Sequence, residues 1–404
     1  MINEETGAAL DAPAFPQERT CPYEPPPGYA ELRERGPLSK ITLFDGRTAW
    51  VVTGHAEARS LLVDSRISAD TQNPDFPFLS QARAATTRQR TIVTMDPPEH
   101  DVHRRMLIPS FTLRKINALR PTIERVVDEL LDGITARRPP LDLVSEFAVP
   151  VPSMVICALL GVPYDDHEFF ERQTRRIAIS ANDRTDAMAA LGELFGYLDG
   201  LVKSKEEDPG DGLLDELIES QLRPGNLTRE EIILTSIVLL LAGHENTANM
   251  IALGTVTLLR HPAELDALRA DPELISGAVD ELLRYTAVAD TMSRVATADI
   301  EIAGHVIRAG DGVILPNAAI NRDAAAFADP DRFDVRRSPV RHHNTFGYGV
   351  HQCLGQHLAR LELEIVFSRL FERLPTLRLA VPVEELEIKP AGGAQGVFEL
   401  PVTW

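Results

Sequence analysis

Apolar residues along this chain recur at helical spacing over most of its length, in runs that proline and glycine interrupt. The longest run opens at Leu227, where Thr228 can cap a helix and Glu231 can return the bond to complete a capping box. It continues to about Arg260, ahead of His261-Pro262. Its middle, IVLLLAGHENTANMIALG, is apolar on every face except for one polar knot, so the pattern predicts a helix that crosses the core. Shorter helical patterns cover residues 55–63, 99–108, 113–135, 145–160, 165–180, 184–205, 211–221, 262–270, 272–285 and 354–374. Alternating patterns are fewer. Residues 38–44 and 49–53 flank Asp45-Gly46, a strong hairpin signal. Residues 293–302, 306–307 and 313–315 read as a small sheet, with 142–144, 377–380 and 396–402 as further short strands. Residues 67–91 are long, irregular and mixed in polarity, which in a compact domain points to a functional loop. Prolines 13, 16, 22 and 25–27 mark residues 1–36 as an irregular leader, with 37–404 a single domain. The class expected is mainly α with small β sheets.

Charge and cysteine usage narrow the setting. A formal net charge of −19 argues against general affinity for nucleic acid. Three cysteines, Cys21, Cys157 and Cys353, form no disulfide framework, which fits a reducing cytoplasm. The acidic start has no signal-peptide core, and no uncharged apolar run is long enough to span a bilayer, so no membrane anchor is expected.

The stretch with most chemistry is FGYGVHQCLG, Phe346 to Gly355. Cys353 falls just past Gly347 and Gly349 and just before an amphipathic run, at a helix N-terminus, where free N–H groups and the helix dipole favour a thiolate. The glycines let the backbone approach a large flat object, and Phe346 can shield the sulfur from water. A thiolate so placed suits an axial haem ligand. Two other readings stay open on the residues alone. One is a buried structural cysteine; the other is zinc held by His342, His343, His351 and Cys353, which lack paired finger spacing.

The spacing Phe-x-x-Gly-x-His-x-Cys-x-Gly resembles the haem loop of the cytochromes P450. Upstream, Glu281-Leu282-Leu283-Arg284 resembles the family's Glu-x-x-Arg motif, and FADPDRFD puts the later partner arginine at Arg332. LAGHENTAN, Leu241 to Asn249, resembles the oxygen-activation segment. The similarity runs from about Gly36 to Trp404 and is nearest the soluble bacterial members of actinomycete type, given AGHE, the run from Arg294 and the ELPVTW ending.

That resemblance implies a helical prism with a small sheet region and haem b between the long helix and the Cys helix. Cys353 would bind iron, within a loop shaped by Phe346, Gly347 and Gly355. Ala242 and Gly243 would let the long helix lie against the porphyrin. His100, Arg104, Arg294 and His351 would hold the propionates, since a buried dianion needs paired cations. Glu281, Arg284 and Arg332 would lock the segment leading to Cys353. Glu245 would relay protons to bound dioxygen. The next residue in the family is usually an alcohol; here it is Asn246, with Thr247 about 100° further round the helix. An amide can still donate to oxygen or hold a water.

The activity implied is a monooxygenase that hydroxylates or epoxidises a small to medium organic substrate, a natural product, with O2 and electrons from a ferredoxin and its reductase. The chain has no GxGxxG after a strand and no reductase of its own, and a monomer is expected. By family position the substrate would meet residues 67–94, 177–191, 239–243, 288–292 and 393–398, among them Leu239, Val288, Ala289, Asp290, Thr291, Met292 and Val397. His103, Arg105, Arg341, His342, His343 and Arg360 would surround the Cys face and steer an acidic ferredoxin. Asn246 keeps a peroxide-using or phenol-coupling haem-thiolate enzyme in view. A non-catalytic haem sensor is a third reading, against which Glu245 on the long helix argues.

Overall fold

The computed structural model describes residues 12–404 apart from 22, 87–89, 180–183 and 390–393. The long helix is Arg229–Arg260. Its start is capped as the sequence predicts: the Glu231 amide donates to Thr228 Oγ1 at 3.2 Å, and the Thr228 amide donates to Glu231 Oε2 at 2.7 Å. Every residue from Thr247 to Leu258 is buried, so the helix does cross the core. Helices Pro150–Leu160, Arg184–Glu207, Ile275–Thr286 and Gln356–Arg373 pack around it. Gly254 allows the tightest of these approaches, because a Cβ there would come within 2.4 Å of the Phe367 ring. Each large apolar side chain buried in this core contributes about 1.5–3 kcal/mol.

Prolines divide what the periodicity joined. Residues 145–160 are a π-helical turn, Val144–Ala148, and then a new helix, Pro150–Leu160, whose first turn holds both prolines. There the missing N–H would have had no partner in any case. Pro121 likewise opens Arg120–Thr135, separate from Leu113–Ala118.

The main sheet has five strands in the order Leu38–Thr42, Thr48–Val52, Gly312–Pro316, Thr291–Ala296, Ile67–Ser68. The first two form the expected hairpin, with Leu38 opposite Val52. Thr48–Val52 then runs parallel to Gly312–Pro316, and Thr291–Ala296 runs antiparallel to it with Arg294 opposite Val313. The stretch read as an irregular surface leader is partly ordered. Gly28–Glu34 is a helix, and Phe15, Tyr29 and Leu32 are buried against the sheet. Among the described residues no helix is long and apolar enough to cross a membrane.

Candidate active site

A cavity of about 550 Å³ lies between the long helix and the loop ahead of Gln356–Arg373. The loop is held by backbone. Gly347 and Gly349 take φ of +67° and +74°, and a Cβ on Gly349 would sit 2.3 Å from the Leu62 carbonyl oxygen. The Cys353 amide donates to the Phe346 carbonyl at 2.8 Å, closing the turn. Cys353 presents its surface to the cavity, alongside Phe346, Gly347, His351 and Gly355. Burial pushes its thiol up, against the Gly355 amide, Arg104 and Arg360, which pull it down without prevailing. The helix start therefore does not make a thiolate unaided. A sulfur in this setting ionises when a cation sits in the cavity.

The rim supplies positive charge from three segments. His100 and Arg104 come from Glu99–Leu107, Arg294 from the sheet and His351 from the Cys loop, and all four line the cavity. The His100 and His351 rings lie 4.3 Å apart. Arg104 Nη2 donates to the Gln352 carbonyl at 2.6 Å, and Arg294 Nη1 to the Ser293 carbonyl at 2.8 Å. Among the described residues neither guanidinium has a carboxylate within salt-bridge distance. Burial pulls Arg294 down to about 10, and burial, with Arg294, His100 and Arg104 nearby, pulls His351 down to about 3. Buried cations without anions are costly. This rim fits a cofactor that brings two carboxylates of its own, and the sulfur fits one that brings a metal cation.

On the opposite wall the long helix contributes Leu239, Ala242, Gly243, Asn246 and Thr247. Asn246 and its neighbour Thr247 thus both reach the cavity. Glu245 does not line it: the carboxylate is half-buried and lies 3.7 Å from Lys389 Nζ, which donates to Asn249 Oδ1 at 2.9 Å. No periodicity marks Lys389, which lies some 140 residues beyond its partners in the chain.

Val288, Ala289, Thr291 and Met292 line the cavity as expected, but Asp290 and Val397 do not. Asp290 is buried behind the wall, where Oδ2 accepts from Tyr29 Oη at 2.8 Å and Oδ1 from the Ala318 amide at 3.0 Å. Burial pushes its carboxyl up. Val397 is fully buried in the core, bridged to Ile388. From residues 67–94 come Phe76, Phe78, Ile92 and Val93, with one cation, Arg83. Of the described residues in 177–191 and 393–398 none lines the cavity. Residues 180–183 and 393 lie outside the described residues.

The cytochrome P450 family profile matches residues 30–379. This chain belongs to the cytochrome P450 family. It is 55% identical to pentalenic acid synthase of Streptomyces avermitilis, over 99% of this chain and 100% of that protein. It is 53% identical to vitamin D3 dihydroxylase of Streptomyces griseolus, over 99% and 98%. A crystal structure of mycinamicin VIII C21 methyl hydroxylase from Micromonospora griseorubida, bound to mycinamicin VIII, superposes with a TM-score of 0.90 at 44% identity, covering 97% of this chain and 100% of that one. As a P450 the chain is a haem-dependent monooxygenase, and it needs a redox partner and a substrate.

Behind the Cys loop of this P450, Glu281 and Arg284 are fully buried and meet fork to fork, Nε–Oε2 at 2.7 Å and Nη2–Oε1 at 2.8 Å. The arginine side chain that joins them is Arg337, whose Nε donates to Glu281 Oε1 at 3.0 Å. It is not Arg332, whose side chain is 65% exposed and whose carbonyl alone enters, accepting from Arg284 Nη2 at 3.1 Å. The chain turns at Asp329, with φ of +45°, and Arg332 faces solvent beyond that turn. Both arginines stand in the run DPDRFDVRR, where spacing cannot separate them. The zinc alternative also dissolves. His343 pairs with Asp280, His342 stacks on Phe327 at 4.4 Å, and among the described residues no group of three or more His, Cys, Asp or Glu side chains is placed to hold a metal ion.

Proposed function

We propose that this P450 binds haem b with Cys353 as the iron ligand and hydroxylates a natural product with O2, taking electrons from a ferredoxin and its reductase. The observation that carries this reading is the cavity itself: a sulfur on one wall, Asn246 and Thr247 on the other, and a rim of Arg104, Arg294, His100 and His351 in which, among the described residues, neither guanidinium is paired with a carboxylate. Arg104, Arg294, His100 and His351 would hold the two propionates at this rim. Cys353 would hold the haem iron as a thiolate, and the group would supply oxygen activation there. Asn246 donates an amide N–H, or holds a water, at the distal wall, and the Thr247 hydroxyl is a second donor there. Glu245, paired with Lys389, passes protons inward from the cavity's outer side. Phe76, Phe78, Ile92 and Val93 exclude water and hold an apolar substrate body, as suits relatives named for pentalenic acid, vitamin D3 and mycinamicin. We place the enzyme in the cytoplasm as a monomer, with residues 37–404 acting as one catalytic unit.

The test is the reduced, carbon-monoxide-bound spectrum of the haem-loaded protein, followed by turnover with labelled O2. A thiolate-type spectrum and one labelled oxygen in the product are expected with ferredoxin and reductase. A spectrum without thiolate character sinks the ligand assignment. Turnover with peroxide and none with ferredoxin transfers the chain to the peroxide-using reading.

A further inference from the structure

Asp280 stands beside Glu281 in sequence but serves a different cluster. It is fully buried and accepts three bonds. On Oδ1 come His343 Nε2 at 3.2 Å and Arg360 Nε at 2.8 Å, and on Oδ2 comes Arg341 Nε at 3.0 Å. Burial pushes the carboxyl up, but His343 and Arg360 overcome it and hold Asp280 below its ordinary value. Burial drives His343 the other way, toward the neutral ring. The cluster is thus one carboxylate between two guanidiniums, with a neutral imidazole as a further donor.

The two arginines point in opposite directions. Arg341 is 73% exposed, and its Nη2 donates to Ser276 Oγ at 3.1 Å. Arg360 is 14% exposed, is tied to Gln356 Oε1 at 3.1 Å, and lies 4.5 Å over the Phe346 ring. Phe346 in turn accepts from the Cys353 amide at 2.8 Å. A continuous path therefore runs from the surface at Arg341, through Asp280 and Arg360, to the loop that carries the sulfur.

We propose that Asp280 is a positioning residue: it fixes the Arg360 guanidinium beside the Cys353 loop and, through the shared carboxylate, ties the charge of the exposed Arg341 to the electron-accepting centre. This rests on reading Cys353 as the haem-iron ligand. A cation beside the sulfur favours the reduced centre, which carries one more negative charge. An acidic electron carrier that draws Arg341 from Asp280 leaves more of the carboxylate's charge on Arg360, and so lowers electron affinity at the centre it serves. His357, whose ring is pulled down by burial and then by Arg360 and Arg341, also faces this path.

The experiment is a reductive titration of the haem-loaded full chain at low salt and at 1 M salt, where surface charges are screened beyond about 3 Å. Arg360→Gln is expected to shift the oxidised-to-reduced balance about tenfold toward oxidised, a potential lower by ~59 mV. Arg341→Gln shifts it the same way by less, and keeps that shift at 1 M salt. The double variant shifts it by less than the sum, because both arginines act through Asp280. Arg105→Gln, an exposed arginine with no part in the cluster, loses any shift in salt. In an Asp280→Asn background the Arg341→Gln shift becomes salt-sensitive; should that background fail to fold, the Arg341 and Arg360 cycle decides alone. Additive shifts, or an Arg341→Gln shift that salt abolishes, overturn the proposal. A wild type without the thiolate spectrum fails the haem reading itself, whereas a normal spectrum with a potential indifferent to Arg341 fails this inference only.

Discussion

At the scale of single residues, opposing electrostatic terms decide what each group does. Cys353 and Cys157 both have thiols pushed up by burial, Cys157 to about 12. Only Cys353 opens on a cavity that can hold a cation, while Cys157 lies in the helical core. Cys353→Ser should therefore abolish the thiolate-type reduced carbon-monoxide spectrum, and Cys21→Ser and Cys157→Ser should leave it in place. Asn246→Ala removes a donor from the distal wall and should raise uncoupling, read as peroxide released per electron pair, while Asn246→Thr should keep coupling. Glu245→Gln should cut turnover with substrate affinity nearly intact, since the loss falls after substrate binds. His343 sets a pH dependence. Its folded-state value is lowered, so below about 6.5 the unfolded chain binds a proton that the fold refuses, and stability falls as pH falls. One group can contribute at most about 1.4 kcal/mol per pH unit to that slope. Urea denaturation between pH 8 and about 5 should show it, and His343→Asn should remove that part of the slope.

Elements are held by what their ends and neighbours can satisfy. The helix Ile275–Thr286 buries the neighbours Asp280 and Glu281, and Arg284 one turn on, and each charge has partners. Arg337→Leu removes a bond to a buried carboxylate and should cost about 2–3 kcal/mol in chemical denaturation. Arg332→Ala, on the surface, should stay within about 0.5 kcal/mol. At this scale much was legible. The capping box at Thr228 and Glu231, the hairpin at Asp45-Gly46 and the proline that opens Pro262–Ala270 are local signals, and local sterics settle them. The parallel pairing of Thr48–Val52 with Gly312–Pro316 was not legible, because a strand's pattern does not say which distant strand it meets.

For the whole molecule, the net charge of −19 conceals where the positive groups lie. Of the residues expected around the Cys face, His343 is buried and Arg360 is turned inward onto Asp280, so Arg105 and Arg341 carry the exposed charge there. Reduction by an acidic ferredoxin should slow as salt rises, and slow further in Arg105→Glu, measured by stopped-flow trapping of the reduced form with carbon monoxide. A rate indifferent to both would remove electrostatic steering from the account.

By itself the sequence determined the helical class, the long capped helix and the glycine-bent Cys353 loop, while the rim residues were named only by the family resemblance. The first three follow from periodicity, backbone conformation and spacing within one segment. Only the tertiary structure decided that Arg337 and not Arg332 meets Glu281, that Asp290 and Val397 sit behind the wall, and that Lys389 pairs with Glu245. It alone brought Asp280 under Arg341 and Arg360. The reason is physical. Which of several like side chains reaches a buried charge depends on how separate segments pack against each other, and no spacing along one chain contains that distance.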